Sequence, residues 1–261
     1  MSKNGVEKFF LTFVRHGETN LNLEGVLQGH VNAPLNETGQ QQASEIGKHL
    51  QNEKYTHIYS SDLDRAFHTC SILLQKNKHA VSHVTSSNKM SDVKDLIKVD
   101  KKLRERKFGS MEGKPWHFLH KAAKAAGLDE IDFIPPGAES MHEVSVRGKE
   151  FFIDLCKTLC QDWKPNSGNM NVCPNVLVVS HGGYIRSTIR MFHTDFGCPL
   201  QRYILQSFMV NCAKACFEVT LPSIEENENS FQLDASSSSA TTVDRCLEGI
   251  TLKCTAYNVT A

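Results

Sequence analysis

The chain has no long apolar run, no excess charge of either sign and no repeating cysteine framework. Each lack removes a class of function. No stretch approaches the roughly 20 consecutive apolar residues of a membrane span. The apolar run near the start is too short for a secretory signal and is broken by Arg15-His16. Lysine plus arginine equal aspartate plus glutamate at 29 each, so the formal net charge is zero. Nucleic acid is not expected as a general partner of a chain without a global basic excess. That balance still permits a local basic pocket around a small anion. The cysteines number nine, an odd count scattered over 261 residues. With no export signal they are expected to be reduced core thiols of a cytoplasmic protein. Cys156 and Cys160 lie four apart, as one buried helical stripe would place them. A zinc site needs two further ligands close by, and no such cluster is seen, so no metal or cofactor is expected. Internal repeats are absent too.

What the chain does have is one design used twice. Phe9-Phe10-Leu11-Thr12-Phe13-Val14 is short, apolar and bulky, and reads as a buried strand of a parallel sheet. Arg15 and His16 follow without a spacer, then Gly17-Glu18-Thr19-Asn20. Open α/β sheets hold their ligands at the carboxyl ends of such strands. An isolated Arg-His-Gly also fits a strand end carrying two solvated polar residues. A second occurrence of the same design weighs against the solvated reading. Val176-Leu177-Val178-Val179 is again a buried run, and Ser180-His181-Gly182-Gly183 follows it and opens a helical pattern. Two histidines that each end a buried strand before glycine can face each other if their strands are neighbours.

These paired motifs resemble the histidine phosphatase (phosphoglycerate mutase-like) superfamily, over roughly Phe9 to Asp195. Within it, the stretch Leu103-Arg104-Glu105-Arg106-Lys107-Phe108-Gly109-Ser110-Met111-Glu112-Gly113 and the overall length are similar to the fructose-2,6-bisphosphatase group. The resemblance implies a phosphohistidine intermediate, a small phosphorylated sugar as substrate, and Glu105 as proton donor. It adds Asn22 as a neutral donor and Gln28-Gly29 as a loop beside the pocket. Mutases of the superfamily carry a tyrosine and a lysine where this chain has Phe108 and Trp116, which argues for hydrolysis. Phosphoglycerate mutase activity and a phosphatase-like binding protein remain the alternative readings.

The chemistry asks for the same residue types. Cleaving a phosphate ester needs an in-line nucleophile, cations on the equatorial oxygens, and a proton for the leaving alkoxide. His16 is the candidate nucleophile, one ring nitrogen free and the other fixed by an acceptor. Arg15 and Arg65 offer guanidinium forks that match phosphate. Arg65 falls in a helix's first turn, where a cation is unfavourable unless an anion sits between them. His181 and the backbone N–H of Gly182 are further donors. Arg104, Arg106, Lys107, Lys114, Arg147 and Arg202 are candidates for a second phosphate, though each taken singly reads as a surface charge.

Strands alternating with helices imply an α/β fold, with a mostly parallel central sheet flanked by helices on both faces. One domain is expected over 1–261, with 106–175 as a small helical subdomain over the active site. The patterns Phe217, Val219, Leu221 and Ile250, Leu252, Cys254 imply an antiparallel edge addition. Thr38 and Gln41, and Ser140 and Glu143, have capping-box spacing. Ser60-Ser61-Asp62 offers helix caps, Val81–Val84 a short strand, and 114–134 a helix broken by Pro135-Pro136-Gly137. Asn227–Thr242, with its four-serine run, is expected to be a surface loop.

Overall fold

The computed structural model describes residues 6–86, 92–162, 173–222 and 249–261. Six strands form one sheet: β1 (Lys8–Arg15), β2 (His57–Ser60), β3 (Lys98–Val99), β4 (Asn175–Ser180), β5 (Lys214–Thr220) and β6 (Thr251–Val259). Their order is β3-β2-β4-β1-β5-β6. The first four are parallel, and β5 and β6 add the antiparallel edge. The helices are α1 (Asn20–Leu23), α2 (Glu37–His49), α3 (Asp64–Lys76), α4 (Lys78–Ser86), α5 (Trp116–Ala125), α6 (Met141–Asp162), α7 (Gly182–Phe196) and α8 (Arg202–Gln206).

Alternation along the strands separates two cores. Phe9, Leu11 and Phe13 of β1 join Val176 and Val178 of β4 on one face, against Phe151 and Phe152 of α6 and Tyr184, Ile189 and Phe192 of α7. Val14, Leu177 and Val179 take the other face, with Ala43 and Ile46 of α2 and Ala66, Cys70 and Leu73 of α3. Both faces are therefore covered, as a parallel sheet requires. Among the described residues no helix is long and apolar enough to cross a membrane.

Several local expectations change. Val81–Val84 belongs to helix α4, because Asn77 Oδ1 accepts the Ala80 N–H and Ala80 and Val84 then pack on the second core. Helix α2 is capped by Asn36, which accepts from the Gly39 N–H at 2.8 Å, rather than by Thr38. Helix α3 begins beyond Leu63, which makes no side-chain cap, so Ser60-Ser61-Asp62 serves other ends. Helix α5 stops at Ala125, well before Pro135, because Gly127 takes the left-handed conformation at φ +70°. Cys156 is buried but Cys160 is exposed, so the two do not form one buried stripe. Ser140 and Glu143 do exchange their capping bonds, at 2.7 and 3.1 Å. Within the described part of 106–175, α6 packs in the main core, and Phe108 and Leu119 form a small cluster with Leu27. The serine-rich stretch lies outside the described residues.

Candidate active site

Sheet register builds the centre of the site. β1 and β4 pair in parallel with Arg15 opposite Ser180. The His16 N–H then donates to the Ser180 carbonyl at 2.9 Å. His16 and His181 thus leave adjacent strands at the same level, and their rings lie 5.1 Å apart. On the other side of β4, Ser60 stands opposite Val179, and the Ser61 N–H donates to the Val179 carbonyl at 3.1 Å. Ser61, His181 and His16 are each the first residue past one of three neighbouring strands.

His16 is buried, and its Nδ1–H donates to the carbonyl of Gly17 at 2.7 Å. That bond leaves the Nε2 lone pair free. Burial first, then the charges of Arg65 and Arg15, hold this imidazole well below its ordinary pKa, so it is neutral. Burial, Arg65, His16, Arg147 and Arg15 do the same to His181. The His181 Nε2 lies 2.9 Å from Ser61 Oγ. Arg65 is fully buried, and its Nη1 and Nη2 each donate at 2.8 Å, to the carbonyls of Val31 and Gly29. Burial brings it down to about 10, against the charge of Glu105. Arg15 donates to the carbonyl of Met209 at 2.6 Å. Arg15 Nε, Arg65 Nε and His181 Nδ1 are buried without a protein partner. Buried donors are normally paired. The two guanidinium Nε–H groups left open beside these two imidazoles can meet a tetrahedral anion.

Glu105 closes the site at the amino end of α7. Its carboxylate accepts the N–H groups of Gly183 and Tyr184, both at 3.0 Å, and of Arg106 at 2.7 Å. Its charge acts on both Arg15 and Arg65. Arg147 fixes the loop that carries it, donating to the carbonyls of Lys102, Arg104 and Glu105. His30 Nε2 donates to the Glu105 carbonyl at 2.9 Å.

Of the six cations offered for a second phosphate, Arg104, Arg106 and Arg147 are taken up by protein partners. Arg104 forms a bidentate pair with Asp62 at 2.6 and 2.7 Å. Arg106 is buried and donates to the carbonyls of Glu139 and Phe133. Arg147 is paired with Glu139 as well as the loop. Lys107, Lys114 and Arg202 are exposed.

The remaining sequence candidates take supporting places. Asn22 Oδ1 accepts from the Thr19 N–H and from Asn211 Nδ2, leaving its own amide nitrogen as the donor end. Gln28 is buried with its Oε1 unpartnered. Gly29 acts through its carbonyl on Arg65, at φ +51°, and a Cβ there would meet Glu112. Gly182 lets α7 approach Arg15: a Cβ would stand 3.3 Å from Arg15 Nε. Three residues had no site signal in the sequence. Ser61 reads there only as a cap. Thr69 accepts the Gly17 N–H and donates to the Arg65 carbonyl, tying the loop after His16 to helix α3. Asn211 donates to the His16 carbonyl from far downstream.

A cavity of about 940 Å³ opens at Gly183, lined by Phe108, Trp116, Leu128, Arg186 and Phe208 among others.

Comparison with known proteins places the chain in a family. The model of the histidine phosphatase superfamily (branch 1) matches residues 11–214. The chain belongs to the histidine phosphatase superfamily. It is 37% identical to the cattle (Bos taurus) fructose-2,6-bisphosphatase TIGAR over 235 residues, covering 77% of this chain and 82% of that one. The mouse (Mus musculus) protein of the same name is 36% identical, over 74% and 80% of the two chains. Among solved structures, a phosphoglycerate mutase from Bacillus anthracis superposes with a TM-score of 0.64 at 26% identity, covering 82% of this chain and 89% of that one. A mycobacterial glucosyl-3-phosphoglycerate phosphatase gives 0.65 at 21% identity, over 97% and 100%. The family match and the TIGAR relatives support phosphatase activity in an enzyme of this family, and the solved structures share its fold.

Proposed function

We propose that this enzyme hydrolyses a sugar bisphosphate, with fructose-2,6-bisphosphate to fructose-6-phosphate as the leading reaction, through a phosphohistidine on His16. The observation that carries this reading is the neutral, buried His16, its Nδ1–H anchored on Gly17 and its Nε2 free beside unpartnered arginine nitrogens. The TIGAR relatives, named as fructose-2,6-bisphosphatases, supply the substrate.

Two steps follow. His16 Nε2 bonds to phosphorus as the ester P–O bond breaks, and Glu105, entering this step as the carboxylic acid, gives its proton to the departing sugar oxygen and becomes the carboxylate. Glu105 then takes a proton from water, the resulting hydroxide attacks phosphorus, and the N–P bond breaks to release phosphate. Arg15, Arg65 and His181 hold the equatorial oxygens throughout. The cavity beside Glu105 receives the leaving group. Phe108 and Trp116 stack edge to face in its wall, 6.1 Å between centroids, where mutases of the superfamily carry tyrosine and lysine. That apolar pair favours release of the sugar product over its retention for return transfer.

The experiment separates nucleophile from proton donor. His16→Ala abolishes phosphoenzyme formation and turnover on every substrate. Glu105→Gln lowers sugar phosphate turnover by roughly 10²–10⁴-fold. It spares His16 phosphorylation by p-nitrophenyl phosphate, whose leaving group needs little protonation. Single-turnover assays of the acid-labile phosphoenzyme read both. Equal impairment of the two substrates in Glu105→Gln removes Glu105 from the acid role.

A further inference from the structure

Ser61 has no place in the reaction as described above, yet it is fully buried and bonded to His181. We propose that Ser61 is a positioning residue that fixes His181 as the tautomer with its proton on Nδ1, so that this imidazole donates to the phosphoryl group. The proposal rests on the reading of the site as a phosphoryl site.

Hydrogen counting carries the argument. Ser61 Oγ accepts the Leu63 N–H at 3.3 Å. Its own proton then needs an acceptor, and His181 Nε2 is 2.9 Å away. If Ser61 donates to Nε2, the neutral ring must carry its proton on Nδ1. Nδ1 is the buried atom without a protein partner, and a bound phosphate oxygen satisfies it. The reverse assignment fails twice. Ser61 would accept two bonds and leave its own proton without an acceptor among the described residues. The Nδ1 lone pair would also join the buried donors of Arg15 and Arg65 and repel an incoming dianion. Because burial and the nearby cations keep His181 neutral, its charge cannot bind the anion, so the tautomer decides whether it attracts or repels.

His16 shows the complementary arrangement. Its Nδ1–H is anchored on the Gly17 carbonyl and its Nε2 lone pair is free. Both rings carry their proton on Nδ1. His16 is held by its donor and offers a nucleophile, whereas His181 is held by its acceptor and offers a donor. The parallel register of β2, β4 and β1 sets both choices, because it delivers Ser61, His181 and His16 side by side.

The test uses the full chain labelled with ¹⁵N-histidine, with His181 assigned by loss of its signals in His181→Gln. In the wild type, His181 Nδ1 shows the shift of a protonated ring nitrogen and Nε2 that of a bare one. In Ser61→Ala the protonated signal moves to Nε2 or splits between the two. Inhibition by inorganic phosphate weakens about tenfold and kcat falls about 10- to 100-fold, less than the 10²–10³ of outright donor removal. Ser61→Thr, which keeps the hydroxyl, restores the tautomer and most of kcat. A wild-type His181 protonated on Nε2 overturns the proposal, and this readout needs no folded variant. So does a Ser61→Ala protein with unchanged tautomer and unchanged phosphate inhibition. Phosphoenzyme formation on His16 is scored separately, so loss of the phosphatase reading and loss of the Ser61 role are distinguished.

Discussion

Arg186 is the side chain that the pairing of the arginines near Glu105 brings forward. It lies one turn into α7, lines the cavity at Gly183, stacks 4.1 Å over the Phe208 ring and keeps a buried Nε without a partner. The three arginines near Glu105 are bound to Asp62, to Glu139 and to backbone carbonyls, so they have little left for a ligand. Lys124, which is exposed, also lines the cavity, as do Asp129, Glu130 and Asp132. If the substrate carries a second phosphate, Arg186 is placed to meet it. Arg186→Gln should then raise KM for fructose-2,6-bisphosphate about tenfold or more, since a charge-assisted bond is worth roughly 1.5–3 kcal/mol. KM for p-nitrophenyl phosphate should stay within about twofold. Steady-state kinetics on the two substrates decide it, and an equal rise in both KM values would return Arg186 to a structural role.

At the scale of elements, strand ends and helix starts do most of the positioning. Gly183 is the clearest joint: a Cβ there would stand 2.4 Å from Glu105 Oε1, so the first turn of α7 admits the carboxylate only because this residue has no side chain. The obstructed atom is the end of a flexible side chain, and it can move at little cost to the fold. Gly183→Ala should keep the melting midpoint within a few degrees while displacing Glu105. Its turnover on sugar phosphates should fall toward that of Glu105→Gln, with phosphoenzyme formation from p-nitrophenyl phosphate largely kept. The same leaving-group comparison measures it. The strand-histidine-glycine pattern was legible in the sequence because it is local: a buried run, a polar end and a sharp turn are adjacent along the chain. The register that sets Arg15 opposite Ser180 is not in that pattern and comes from the sheet. Ser61, Thr69 and Asn211 were not legible, because each acts across elements and none differs in type from an ordinary cap or loop residue. The arginines of the Glu105 loop were misread for the same reason. Their partners, Asp62, Glu139 and several carbonyls, arrive from distant parts of the chain. The α4 helix was missed because a β-branched pair suggests a strand, while the Asn77 cap and a one-sided core decide for a helix.

The molecule as a whole carries the cost of this site, and pH exposes it. His16 and His181 are neutral and buried, with pKa values well below the ordinary 6.5. In the unfolded chain both take up a proton as pH falls through about 6.5. The folded chain does not follow, so the unfolded state binds more protons and stability drops as pH falls. The sign is fixed by the depressed values: this contribution is fully present above pH 6.5 and is lost below it. Each histidine removes roughly 1.4 kcal/mol per pH unit once the pH lies well under that value. The carboxylates come later. Asp62, held below 3.8 chiefly by its bond to Arg104, and Asp195, held down by Lys149, lose their contribution only as pH falls below about 4. The window between pH 6.5 and 5 therefore belongs to the histidines. Urea unfolding in phosphate-free buffer at several pH values across it should give a steep decline in the wild type. His181→Gln, which removes one of the two groups, should show a shallower slope over the same window, whatever its absolute stability. An unchanged slope would mean that His181 protonates in the folded protein, and the neutral-imidazole mechanism would lose its basis.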